Sequence, residues 1–283
     1  MSITKNMFVQ LDDDGNPIEE VKKKTATKKK PAEKKDESLL HDSGHNIVEF
    51  LSGGKLGYPA VFEYRDLLVK DEEVLSTATD TTYSRTINSV LKSVMNDPEW
   101  YEKMTVHDRD YALMWIWAQN YGSTKTLTVT CSNRSCGAEN THVVDLTNLP
   151  VTKLNEKIKV PLNMTLKNGV EIEVNLPTVA DELFVEEWLK NHPNDKYQTV
   201  MTARLISFGM EPRFEEKMKW ISENVLASEY GKIKKYHELA FYGVNGMIEH
   251  KCKHCKEVTY GEIPFSTSDV LWPTVHADIE EFL

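Results

Sequence analysis

Two stretches decide how this chain folds: TLTVTCSNRSCGAENTHVVDL, residues 126–146, and MIEHKCKHCKEVTYGEIPF, residues 247–265. They hold all four cysteines of the 283-residue chain, Cys131 and Cys136 in the first, Cys252 and Cys255 in the second. Between Cys136 and Cys252 lie 115 residues. Each pair occupies a short polar turn between two β-prone runs. Thr126 to Val129 lead into the first turn and His142 to Val144 leave it; Met247 and Ile248 lead into the second and Val258 to Tyr260 leave it. The layout matches a split zinc ribbon, two hairpin knuckles that each donate two thiolates to one tetrahedral metal. One structural zinc per chain, held by Cys131, Cys136, Cys252 and Cys255, is the expectation.

Other readings stay open at this level. Two disulfides would need an oxidising compartment, which four cysteines in 283 residues and the lack of a signal-peptide pattern do not suggest. A redox Cys-x-x-Cys at Cys252 to Cys255 would need a strand-to-helix context, whereas a β-prone run follows. Four unrelated buried thiols would sit in less polar surroundings. The x4 spacing of Cys131 and Cys136 is looser than the usual x2, and His250 or His254 could replace a thiolate. Closing so long a loop costs on the order of 4 kcal/mol. Structural zinc in small finger peptides contributes roughly 10 to 16 kcal/mol, enough to hold the two halves together. The segment between the pairs is then an insertion with its ends fixed side by side.

Outward from the cysteines, five regions are expected. Residues 1–44 form a flexible Lys-rich arm, 45–125 a mainly helical region, 126–146 with 247–265 the split ribbon, 147–246 an inserted hairpin and helices, and 266–283 a docking tail. Residues 21–37 carry eight Lys against Glu33, Asp36 and Glu37, while the whole chain has net charge −10. The acidic body does not suit a protein whose main surface grips phosphates. No apolar run reaches the roughly 18 residues of a membrane helix.

Gly53-Gly54-Lys55-Leu56-Gly57 reads as a flexible turn, because Leu56 and Glu49 stand where a phosphate loop needs Ser or Thr and Gly. A strand over Ala60 to Tyr64 precedes a helix entered from Arg65. Ile87, Val90, Leu91 and Val94 share one helical face. Thr105-Val106-His107-Asp108 is a capping box with Asp in the place of Glu, and the helix it opens carries an apolar band wide enough for burial on two sides. Lys167-Asn168-Gly169 between alternating runs, Ile158 to Leu166 and Val170 to Leu176, predicts a further β-hairpin. Thr178 with Asp181 caps a helix whose face is Leu183, Phe184 and Trp188. Three more helices are expected, over Tyr197 to Phe208, Phe214 to Leu226 and about Glu229 to Tyr242, the last with Ile233, Tyr236, Ala240 and Phe241 facing inward. The fold class is α+β, a helical body with a small split zinc ribbon and an additional hairpin.

No catalytic motif is present. His-Glu-x-x-His, Gly-x-Ser-x-Gly, the Rossmann glycines and the Walker lysine are all missing, and Lys251 stands where a zinc deaminase needs proline. Four thiolates leave a zinc ion no open position. Glu186-Glu187 and Glu215-Glu216 read as solvated charge. A non-enzymatic protein is expected.

Certain strings resemble a known family. Phe62-Glu63-Tyr64-Arg65-Asp66-Leu67-Leu68-Val69-Lys70-Asp71-Glu72-Glu73-Val74-Leu75 comes first. A split cysteine ribbon then encloses Leu176-Pro177-Thr178-Val179-Ala180-Asp181-Glu182, and Tyr260-Gly261-Glu262-Ile263-Pro264-Phe265 and Asp269-Val270-Leu271-Trp272-Pro273 close the chain. This order is similar to the baseplate hub and hub-assembly proteins of T-even-type contractile-tailed bacteriophages, over roughly residues 58–283. The resemblance implies a structural or assembly role in the tail baseplate of the virion, built in the host cytoplasm. Partners would be other tail proteins, with a homo-oligomer inside the assembly compatible. Membrane insertion is not expected. The alternative is a nucleic-acid-binding zinc ribbon, using Lys251, Lys253 and Lys256 around the second knuckle together with the Lys-rich arm. The acidic body makes nucleic acid the less favoured partner.

Overall fold

A computed structural model describes residues 46–79, 82–209 and 212–262. The arm before them, Ile263 to Phe265 and the tail over 266–283 lie outside the described residues. The first half runs β1 (Asn46–Glu49), β2 (Val61–Tyr64), α1 (Val69–Leu75), α2 (Tyr83–Val94), α3 (Val106–Tyr121), β3 (Thr124–Thr130), β4 (Glu139–Asp145), β5 (Val151–Thr152), β6 (Leu162–Thr165) and β7 (Glu171–Val174). The second half runs α4 (Val179–Asn191), α5 (Tyr197–Leu205), β8 (Ile206–Phe208), α6 (Phe214–Asn224), α7 (Ala227–Ala240), β9 (Gly243–Val244), β10 (Met247–Lys251) and β11 (Val258–Glu262). The chain is thus mixed helix and sheet. Its sheets are small and antiparallel: β1 with β2, β3 with β4, β5 with β9, β10 with β11, and β6-β7-β8.

Two apolar clusters carry the body. The first joins β1, β2, α2 and α3 through Phe62, Tyr64, Leu91, Val94, Met104 and Ile116, all fully buried. The face Ile87, Val90, Leu91 and Val94 of α2 is buried as its spacing demands. The wide band of α3 is buried as well, through Ala112, Met114, Ile116, Trp117 and Ala118. The second cluster joins the β6-β7-β8 sheet to α7 through Ile172, Val174, Ile206, Ile233 and Tyr242. Gly53, Gly54 and Gly57 form the turn between β1 and β2, each at positive φ, where a side chain would be strained.

The two clusters meet at a polar junction that the sequence placed differently. Thr105 caps α3, accepting from the Asp108 backbone N–H at 3.4 Å. The Asp108 carboxylate does not return the bond. It accepts instead from the backbone N–H groups of Leu51 and Ser52 at 3.1 and 3.3 Å, from the Tyr58 hydroxyl at 2.6 Å and from the Tyr242 hydroxyl at 3.3 Å. A fully buried carboxylate collects every donor in reach, and four from three segments outweigh one local cap. Thr178 and Asp181, by contrast, do form the reciprocal box at the start of α4.

Other expectations shift for physical reasons. The helix from Tyr197 stops at Leu205, and Ile206 to Phe208 become the third strand beside β7. The expected hairpin is therefore two-thirds of a sheet. Pairing with the open β7 edge wins over three more residues of helix, and it seats Ile206 at 0% exposure. On α4 the fully buried residues are Val179 and Val185; Leu183 packs on the first cluster, while Phe184 and Trp188 pack with α5 and α6. At the end of α7 the backbone turns extended at Phe241. Tyr242 then takes the inward place at 0% exposure, and Phe241 is left 48% exposed against His107.

Candidate metal centre

The two cysteine turns are built alike. In the second, the Lys256 backbone N–H donates to the Cys252 carbonyl at 3.0 Å and Lys256 adopts positive φ. In the first, the Gly137 N–H donates to the Asn133 carbonyl at 3.0 Å, again at positive φ. Asn133 therefore holds the place in its turn that Cys252 holds in the other. The first thiol of that pair sits two residues earlier, at Cys131, whose N–H donates to the Ala138 carbonyl at 2.8 Å as the Cys252 N–H donates to the Glu257 carbonyl at 2.9 Å, so the first turn carries two more residues between its closing bonds. This accounts for x4 spacing in one turn and x2 in the other. Asn133 stabilises its own turn by accepting the Ser135 N–H on its side-chain oxygen at 2.9 Å.

The registers of β3 with β4 and of β10 with β11 form the two turns, and Asn140 of β4 holds them face to face. All four sulfurs lie within 4.8 Å of one another. Cys131 Sγ stands 3.6 Å from Cys255 Sγ, and Cys136 Sγ 3.8 Å from Cys252 Sγ. Thiolates about 2.3 Å from a tetrahedral ion stand about 3.8 Å apart. Both of these contacts join sulfurs of different hairpins, at distances far beyond an S–S bond of about 2.05 Å. Cys131 and Cys252 are buried, Cys136 is half-buried and Cys255 exposed. The arrangement is a four-sulfur cage able to hold a metal ion. Among the described residues this is the single such cluster of His, Cys, Asp and Glu, and His254 lies outside it.

The electrostatics separate the thiols. Backbone N–H groups of Cys255 and His254, with the Asn140 amide, pull Cys252 down to about 6. Burial pushes Cys131 up to about 12. Asn140 is the residue that sequence reasoning missed. It is 2% exposed; its Nδ2 donates to Cys252 Sγ at 3.5 Å and its Oδ1 accepts the Lys253 N–H at 2.9 Å, so one amide ties both hairpins. Only its position four residues after Cys136 hinted at it. Asn133 and Glu257 make a second contact across the turns.

Among the described residues, little else holds these hairpins. Leu127 and Val144, with Leu149 against them, form their own small apolar cluster. On β10 and β11, Met247, Val258 and Tyr260 are about half exposed. Two-stranded hairpins of this kind are marginal in water without a further tie.

The carboxylate pairs differ from expectation at one position. Glu187, Glu215 and Glu216 are exposed, but Glu186 is half-buried and burial raises its pKa. The other strings singled out in sequence have structural roles. Arg65 grips Asp71 at 2.6 Å across the entry to α1, and Glu182 pairs with Arg109 of α3. Lys251, Lys253 and Lys256 are exposed around the second turn. No helix among the described residues is long and apolar enough to cross a membrane.

A family model described as T4 bacteriophage base plate protein matches residues 45–264. No curated protein and no solved structure matches the chain.

Proposed function

The chain belongs to the T4 bacteriophage base plate protein family, and from that membership we propose a structural or assembly component of the tail baseplate that acts through protein–protein contacts. Cys131, Cys136, Cys252 and Cys255 hold one structural zinc ion per chain, forming a split ribbon. The observation that carries this reading is the cage itself: four sulfurs within 4.8 Å of one another, two pairs of them at 3.6 and 3.8 Å, between two hairpins whose described residues form only a small apolar cluster. Zinc supplies the missing tie and, with all four positions filled by thiolate, no open site for chemistry. A baseplate family supports a virion tail component without turnover, whose partners are other tail proteins. We place its assembly in the host cytoplasm. The family match lends no support to the nucleic-acid reading.

Native mass spectrometry of the protein from its natural particle or infected lysate, with zinc quantified in the same sample, tests both halves. One zinc per chain within a complex of other tail proteins is expected. A metal-free chain found only as a free monomer would overturn the proposal. Chelation of the purified protein should open the cysteine hairpins to protease while the helical body keeps its circular dichroism.

A further inference from the structure

The cage sets two pairs of thiols opposite one another across the hairpins. Cys131 Sγ stands 3.6 Å from Cys255 Sγ, and Cys136 Sγ 3.8 Å from Cys252 Sγ. A disulfide holds its sulfurs at about 2.05 Å, so side-chain rotations that close about 1.5 Å would join either pair. Access differs within each pair. Cys255 is exposed and faces buried Cys131; Cys136 is half-buried and faces buried Cys252. Every pair thus couples one sulfur that solvent reaches with one that it does not. An accessible thiol beside a second, sheltered thiol is the arrangement that takes up an oxidant and then resolves the product.

The pairs are also held opposed without help from sulfur. The Asn140 side-chain oxygen accepts the Lys253 N–H at 2.9 Å, and the Asn133 amide donates to Glu257 across the turns. These contacts keep the two hairpins aligned while the thiols react.

We infer that the cage is a thiol–disulfide switch, in which a low-molecular-weight disulfide converts the four thiols into two bonds across the hairpins, Cys131–Cys255 and Cys136–Cys252. The Cys255 thiolate attacks one sulfur of the small disulfide R–S–S–R, whose S–S bond breaks as one R–S⁻ leaves. The Cys131 thiolate then attacks the Cys255 sulfur of the mixed disulfide, and the second R–S⁻ leaves. Two protein thiolates lose two electrons and one small disulfide gains them; a proton carried by either cysteine passes to R–S⁻. Cys136 and Cys252 consume a second equivalent in the same way. No thiolate then remains for a metal ion. Because each bond crosses from one hairpin to the other, oxidation replaces the metal tie with a covalent one and the hairpins stay closed. The inference deepens the zinc reading and rests on the same cage, although the pairing of sulfurs holds whatever metal fills it.

Glutathione disulfide added to the purified full-length chain, its zinc content measured beforehand, tests this. Remaining thiols are alkylated and unreduced peptides mapped by mass spectrometry. The peptide joining Cys131 to Cys255 is expected first and that joining Cys136 to Cys252 second, with zinc passing to a chromophoric chelator in step with the first bond. The oxidised chain is expected to resist protease at the hairpins as the zinc-loaded chain does, while the chelated, reduced chain is cut about tenfold faster. Dominant Cys131–Cys136 or Cys252–Cys255 bonds, bonds between separate chains, or glutathione adducts that go no further would overturn the inference. So would hairpins cut as fast after oxidation as after chelation. A zinc-free chain that forms both cross-hairpin bonds would uphold the switch and remove the zinc reading; a zinc-loaded chain that forms bonds within each hairpin would do the reverse.

Discussion

Asn140 and Asp71 show how single polar side chains set the strength of this fold. Asn140 orients Cys252 and closes the gap between the hairpins, so in the proposed zinc site it would act on the metal through a ligand. Asn140→Ala should weaken zinc affinity about 10- to 100-fold, read by competition with a chromophoric chelator, with the helical signal intact. Asp71 is 4% exposed and bound by Arg65 at 2.6 and 3.1 Å, by the Leu68 N–H at 2.8 Å and by Ser93. The hydrogen bonds from Arg65 hold its carboxyl below the usual range. A depressed folded pKa means stability that is present above the unfolded value of about 3.9 and lost as pH falls through the folded value. Asp71→Asn should cost about 1–3 kcal/mol at pH 7 in urea unfolding. The gap between variant and wild type should narrow as pH falls below the unfolded value and through the lowered folded one, where the carboxyl becomes neutral.

At the scale of elements, what the sequence revealed was local. Cysteine spacing marked both turns, Asn168-Gly169 marked the β6-β7 hairpin and Thr178 with Asp181 marked the start of α4, because each is a bond between residues a few positions apart. The inward face of α2 was legible for the same reason. The misses were choices made by distant chain. Nothing near Ile206 announces a free strand edge at β7, and nothing near Asp108 announces Tyr242, 134 residues away. The four clustered cysteines could be named from sequence, but the amide that joins their hairpins could not, since Asn140 meets Lys253 only after both hairpins form. The turns themselves make a prediction. Lys256 occupies the left-handed conformation that Gly137 supplies without cost in the matching turn. Lys256→Gly should raise stability by up to about 1 kcal/mol, whereas Gly137→Val should lower it by about 1–2 kcal/mol. Thermal melts of the zinc-loaded proteins check both, and a loss of stability in Lys256→Gly would contradict the turn equivalence.

At the scale of the molecule, two apolar clusters are joined by Asp108, Tyr58, Thr105 and Tyr242, and the chain between the two cysteine hairpins is gathered near its ends. Val151 and Thr152 pair with Val244 and Gly243, and the Asn245 N–H donates to the Pro150 carbonyl at 2.8 Å. The cysteine cage thus reinforces a closure that backbone bonds have already begun. Asp108→Ala would strand the Leu51 and Ser52 backbone N–H groups in the interior and leave the Tyr58 and Tyr242 hydroxyls only Thr105 and each other, for a cost of about 3 kcal/mol or more. Calorimetry of that variant should show one transition broadening into two as the clusters uncouple; a single sharp transition at the wild-type temperature would refute the junction. The split of the cage also has a consequence in time. The second of its first two thiols, Cys136, leaves the ribosome 116 residues ahead of Cys252. At about 5–20 residues per second the interval is roughly 6 to 23 seconds. Throughout that interval the nascent chain can offer a metal only half a site. A closed centre therefore reports that translation has passed Cys255, and any tail protein that recognises the finished hairpins is barred from truncated chains.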